Sequence, residues 1–419
     1  MLETLRNAWK IPELRQRITF TSIMFLVFRI GSHIPVPGID PRILEDVFSQ
    51  GNLLGFLDLF SGGALKRVSL FALGVTPYIT ASIVTQLLTV VIPSWEEMAK
   101  EGEEGRKKLA QYTRYATVVL ALIQALSMVA WMRSAVIRPS FTTYAVIAVA
   151  LTAGTAFLMW LGEEITDKGI GNGVSLIIFA GIVSRLPSGL VQVVSYLKVG
   201  AIGIFNVILL ALAALGIVVA VIYVQEGERR ISVQYSKRVV GRRVYGGQST
   251  HIPLKVNQAG VIPIIFASSV LLFPGTVAQF VSHPWAQAVA GALQMGKPLN
   301  TVLYFALTIF FTFFYTAITF NPVDVAKNMQ KYGGFIPGIR PGRPTSAYLN
   351  RVLYRITVVG ALFIALVAIL PIFMGVLTGV EGLSFGGTGV LIAVSVALET
   401  MKQIEAHMLM RHYEGFLKR

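Results

Sequence analysis

The feature that most constrains this chain is a series of ten apolar stretches, each long enough to cross a bilayer. A spanning helix needs about 20 predominantly apolar residues. Such stretches lie at Ile18–Pro37, Val68–Ile92, Tyr115–Val136, Tyr144–Leu161 and Val174–Val194. Five more lie at Gly203–Val224, Ala259–Val277, Thr301–Phe320, Ile356–Val376 and Gly389–Met408. The expected fold class is therefore all-α integral membrane, with ten transmembrane helices. Only 14% of the residues are charged, against about 25% in soluble domains, which excludes a string of cytosolic domains. At 54% hydrophobic the chain is also no disordered scaffold. It has no cysteine, so disulfides, thiolate zinc sites and iron–sulfur clusters are excluded.

Cations orient the spans, because cytoplasmic loops carry the excess of Lys and Arg. The N-terminus, the tail and the loops after even-numbered spans hold 27 of the 36 cationic residues. Both termini are thus expected in the cytoplasm. The first stretch follows a basic start, as a secretory signal would. It contains Arg29, lacks a small-residue cleavage pattern and precedes nine further spans, so it reads as retained.

Two cytoplasmic excursions, 225–257 and 321–355, are long and basic. In the first, "ISVQY" alternates like a strand and a Gly pair could turn a hairpin. The second contains "GGFIPGIRPGRPT", too rich in Gly and Pro to be helical. Loops of this length are usually functional, although topogenic charge alone would also explain them. On the outer side, "GNLLGFLDLFSGGALKRVSLF" is apolar yet carries Asp58, Lys66 and Arg67 and breaks at Ser-Gly-Gly. Two readings stand: a half-helix entering the protein from outside, or a helix lying on the outer leaflet.

The chain also echoes itself. Gly74, Val75, Pro77, Ile79, Ala81 and Ser82 recur 186 residues later as Gly260, Val261, Pro263, Ile265, Ala267 and Ser268. A fainter echo links Gly171–Val174 with Gly387–Val390. Second matches seventh and fifth matches tenth, which implies two five-span halves. An odd number of spans per half inverts the second copy, the plan of many transporters.

An ion-coupled transporter of small solutes is one function class that fits this plan. Such proteins often use intramembrane carboxylates, but here the acids lie in loops or at span ends, with Glu399 the deepest. No P-loop or metal spacing occurs, and "KGIGNGVS" follows no strand, so it is no nucleotide site. No catalytic constellation is visible, and neither a cofactor nor a metal is expected. A second class needs no chemistry, because a ring of branched aliphatic side chains gates a pore by dewetting. Isoleucine is bulky and stiff at χ1. Ile79 and Ile83 share a helix face at i, i+4, as do Ile178 and Ile182. Spacing alone favours ordinary core packing or lipid contact for them.

Five segments carry a resemblance: "LFSGGALKRVSLFALGVTPYITASIVTQLLTVVIP", "EGEEGRKKLAQYTRY", "GIGNGVSLIIFAGIV", "GGFIPGIRPGRPT" and "GGTGVLI". They closely resemble the SecY family, the large subunits of the bacterial protein-conducting channel. The likeness spans all ten stretches and both long loops. It implies two inverted five-helix halves, 1–200 and 201–419, around an hourglass pore in the bacterial plasma membrane. The family's plug falls on about Asn52–Arg67, with Leu54, Phe56, Leu57, Leu59, Phe60, Gly62 and Gly63. Its constriction ring falls on Ile79, Ile83, Ile178, Ile182, Ile265 and Ile392. A lateral gate between spans two and seven would use Thr80, Thr85, Gln86, Gln124 and Asn257. Docking of the SecA motor and of ribosomal RNA phosphates would fall on Arg238, Arg242, Arg243, Arg340, Arg343 and Tyr413. The implied partners are SecE, SecG, SecA, the ribosome, signal sequences with their unfolded precursors, and membrane lipids.

Overall fold

The computed structural model describes residues 6, 8–40, 61–200, 202–235, 238–240, 243–245, 249–278, 288–289, 291–293, 297–378 and 387–417. The first half contributes helices α1 (Pro12–Gly31), α2 (Thr76–Val91), α3 (Pro93–Lys100), α4 (Glu103–Trp131), α5 (Phe141–Lys168) and α6 (Gly173–Val199). The second contributes α7 (Ile204–Glu226), α8 (Ile262–Ala278), α9 (Pro298–Thr319), α10 (Pro322–Lys331), α11 (Arg343–Thr378) and α12 (Gly387–Leu417). Each of the ten apolar stretches coincides with one helix for most of its length. Six helices among the described residues are long and apolar enough to cross a membrane, and the α2–α3 pair, bent by 102°, would make a seventh.

The surface shows what solvent this fold needs. In α7 only 6% of the most apolar 18 residues is buried within the protein. Ile204, Phe205, Leu212 and Leu215 stand exposed along it. A helix apolar on every side with so little of it packed is stable in hydrocarbon, not in water. This is a multi-pass membrane protein.

Proline starts many of these helices. Pro12, Pro93, Pro298 and Pro322 open α1, α3, α9 and α10, where the missing N–H costs no hydrogen bond and φ is already helical. The helices also reach beyond the apolar stretches. The basic segment expected as a loop after the second span is instead helical from Glu103, as the start of α4. Glu103–Lys107 and Glu104–Lys108 pairs at i, i+4 support that turn. Likewise α11 begins at Arg343, well before Ile356, with Pro344 in its first turn.

Packing is duplicated between the halves. α1 packs on α5 and α6, α2 on α4 and α5, α4 on α5, and α5 on α6. In the same order α7 packs on α11 and α12, α8 on α9 and α11, α9 on α11, and α11 on α12. The local geometry repeats as well. Gly74 and Gly260 take left-handed φ of 58° and 63°, each two residues before its helix, at Thr76 and Ile262. The halves meet where α2 packs on α8 and where α6 packs on α12 and α7.

The two long excursions form one unit. Strand β1 (Glu228–Tyr235) pairs antiparallel with β4 (Ser249–Lys255), with Ile231 opposite Ile252 and Val233 opposite Thr250. Its other edge pairs with β5 (Gly334–Phe335) from the second excursion. Burial alternates along β1, and Ile231 and Val233 pack with Met329, Ile336 and Leu349. The strand expected at "ISVQY" is thus present. Strands β2 (Arg238–Val240) and β3 (Arg243–Tyr245) add a second antiparallel pair. The Gly pair expected to turn a hairpin lies outside the described residues.

Candidate pore, plug base and docking loops

The six isoleucines come from four helices. Ile79 and Ile83 sit one turn apart on α2, Ile178 and Ile182 one turn apart on α6, Ile265 on α8 and Ile392 on α12. All six lie in one apolar cluster, and none is more than 8% exposed. These helices are among those through which the halves meet. The same cluster includes ordinary core residues such as Leu158 and Phe311. Three of the same four helices also bring Leu176, Ile177, Ile264, Phe266, Leu391 and Val396 into it, so what distinguishes the six is the family motif and not burial or helix.

The base of the expected plug lies against this seam. Leu54, Phe56, Leu57, Leu59 and Phe60 fall outside the described residues. From Gly62 to Arg67 the chain runs in turns, not as the continuation of a helix. The physical reason is local, since Gly62 and Gly63 both take left-handed φ, 66° and 88°, which ends a right-handed helix. Ser61 is buried, and its Oγ accepts a hydrogen bond from the Leu65 amide at 3.1 Å. Arg29 Nη1 donates to the Gly62 carbonyl at 3.2 Å. A β-carbon at Gly62 would stand 3.0 Å from the Gly181 α-carbon, beside Ile182. Residues 34–36 hold the following segment antiparallel, with Val36 N donating to Val68 O at 3.0 Å and Leu70 N to Ile34 O at 2.9 Å.

The expected gate residues divide differently. Thr80 bonds its own helix at the Thr76 carbonyl, and Gln86 bonds Ser82 within α2. Asn257 donates to the Gly260 carbonyl at 3.0 Å, closing the turn before α8. Thr85, buried, accepts from Thr113 of α4 at 3.1 Å. Gln124 is half-buried on α4. Among the described residues, the hydrogen bonds of Thr80, Thr85, Gln86 and Asn257 stay within the first half or within the second. None joins α2 to α8.

In the second long excursion, Arg340 and Arg343 are exposed. Thr345 Oγ1 donates to the Arg340 carbonyl at 2.8 Å, which fixes the loop's backbone while its cationic side chain projects. Arg238 and Arg243 lie on β2 and β3, Arg242 lies outside the described residues, and Tyr413 falls within α12. Sequence reasoning missed Arg29, Gly181 and Thr113. A lone intramembrane arginine was a visible signal, whereas a helix glycine and a threonine give none.

Comparison with known proteins now decides the family. The SecY family model matches residues 69–401. This chain belongs to the SecY family. The protein translocase subunit SecY of Halalkalibacterium halodurans is 52% identical over the full length of both chains. The SecY subunit of Escherichia coli is 47% identical, covering 98% of this chain and 95% of that one. Solved channels share the SecY fold at lower identity. A structure titled as a protein conducting channel superposes with a TM-score of 0.63 at 19% identity, over 94% of this chain and 92% of that one. Sec61 from a canine ribosome–channel complex does so with 0.61 at 18%, over the same shares.

Proposed function

We propose that this chain is the pore-forming subunit of the protein translocation channel, moving unfolded secretory polypeptides across the bacterial plasma membrane. The observation that carries this is that six buried isoleucines, from four helices that pack across the two halves, belong to one apolar cluster. We read these as a constriction ring in a closed channel. Branched aliphatic side chains make such a ring impermeable to ions by dewetting, and they have no polar group to hold a passing polypeptide. Residues 1–200 and 201–419 act as the two halves. A signal sequence enters between α2 and α8, the plug swings from its Gly62–Gly63 base, and apolar segments leave sideways into lipid.

Force comes from outside this subunit, from the SecA ATPase or the ribosome. The Sec61 structure of similar fold was solved in a ribosome–channel complex. The exposed cations of 225–257 and 321–355 supply the electrostatics for such docking, through phosphate or carboxylate contacts. SecE and SecG brace the halves, and both termini are cytoplasmic. The solute-transporter alternative finds no support. Among the described residues no Asp or Glu is buried, so no carboxylate enclosed by the protein supports that mechanism among them.

The deciding experiment uses proteoliposomes holding this chain with SecE and SecG, to which SecA, ATP and a secretory precursor are added. ATP-dependent protection of the precursor from external protease is expected. Its absence, with the motor active on a control channel, would overturn the reading.

A further inference from the structure

The "KGIGNGVS" segment, which no docking or gating role accounts for, is a four-way junction. It forms the turn between α5 and α6. Arg17 Nη1 donates to the Gly169 carbonyl at 3.2 Å, and Thr21 Oγ1 accepts from the Ile170 amide at 3.1 Å, both from α1. Thr166 Oγ1 on α5 accepts from the Gly173 amide at 2.9 Å, and Asn172 Oδ1 caps α6 through the Ser175 amide at 3.0 Å. These bonds are made within the first half. The fourth partner is from the other half, for Gln403 Oε1 on α12 accepts from the Gly171 amide at 3.0 Å. Apolar packing reinforces it, with Ile170 in one cluster with Ile404, Leu14 and Ala8.

Both helices joined here bear ring side chains. Ile178 lies within the first two turns of α6, and Ile392 lies three turns before Gln403 on α12. A helix transmits axial position along its length, because its backbone bonds fix 1.5 Å per residue. We infer that Gln403 is a positioning residue for the pore seal: its bond to the Gly171 amide sets how far α12 slides along α6, and so keeps Ile392 in register with Ile178 and Ile182. The backbone amide must find an acceptor, and an apolar side chain at 403 would leave it orphaned in a partly buried site. The pair would then shift to satisfy it. This inference rests on the isoleucine ring proposed above.

Ion conductance of assembled channels in proteoliposomes tests it, with Gln403→Leu, Gln403→Ser and Gln403→Glu beside wild type. Leucine matches the size and lacks the acceptor, serine is too short to reach, and glutamate keeps the accepting oxygen. Gln403→Leu and Gln403→Ser should leak several-fold above wild type, and Gln403→Glu should stay near it. Since glutamate rescue is the readout, a simple loss of folded protein in one variant leaves the other two informative. Ile79→Gly/Ile265→Gly serves as the ring control. If it leaks while Gln403→Leu and Gln403→Ser stay tight, or if Gln403→Glu leaks as they do, the inference is overturned and the ring stands. If the ring control itself stays tight, the ring reading falls and this inference with it.

Discussion

Gly62 rests on Gly181: a β-carbon at position 62 would come within 3.0 Å of the Gly181 α-carbon. Backbone therefore meets backbone at the base of the plug segment, one residue from Ile182. The close approach depends on the absence of a side chain at Gly62, which also takes a left-handed φ of 66°. It ties the position of the proposed plug base to α6, which carries two of the proposed ring isoleucines.

Gly62→Ala should loosen this contact, and Gly63→Ala separates the two costs. Among the described residues a β-carbon at Gly63 meets nothing within 4 Å, although its φ of 88° is also left-handed. Gly63→Ala thus pays only backbone strain, roughly 1–2 kcal/mol. Gly62→Ala pays that strain and the collision with α6. Thermal unfolding should rank Gly62→Ala below Gly63→Ala, and ion leak should rank it above. Equal effects would mean the contact with Gly181 carries no weight.

Glycine at Ile79, Ile83, Ile178 and Ile265 should raise passive conductance of the reconstituted channel. Each side chain is at most 8% exposed, and truncating a buried isoleucine to alanine costs about 2–5 kcal/mol in soluble cores. A fall in thermal midpoint will therefore accompany the leak. Conductance at the wild-type level despite that fall would return these residues to simple core packing.

The Thr85–Thr113 hydrogen bond joins α2 to α4 at 3.1 Å, with both residues buried. Interhelical bonds of this kind in membranes average about 0.6 kcal/mol. A double-mutant cycle with Thr85→Val and Thr113→Val should give a coupling near that size. If α2 and α4 move together when the gate opens, a cysteine pair across them should cross-link equally in resting and engaged channels.

Replacing Arg340 with Glu should depress motor-driven transport while the protein stays in the membrane. The side chain is exposed, and its backbone carbonyl accepts a hydrogen bond from Thr345. The Thr345→Val change should, in contrast, disturb the loop and lower transport with the arginine still present. Disappearance of Arg340→Glu from the membrane would mark the residue as topogenic.

The membrane class, the spans and the repeat were legible in the sequence, because each depends on local composition. Hydrocarbon demands long apolar helices wherever they stand in the chain. The Gly74 and Gly260 echo marks a backbone conformation that both copies need. Likewise the alternation in "ISVQY" identified a strand, but not its second partner β5, which lies about 100 residues further along the chain.

Other features were decided only by tertiary structure. Arg29 to Gly62, Gly62 to Gly181, Thr85 to Thr113 and Gly171 to Gln403 join residues with no common spacing or motif. Their partners are chosen by the packing of α1, α2, α4, α6 and α12, and a polar group buried among apolar helices bonds whatever that packing brings within reach. Local composition alone identified the long apolar helices and the residue types that could seal a pore between them. Only the folded arrangement decided that six isoleucines from four helices share one buried cluster, since convergence depends on helix crossings that no local pattern encodes.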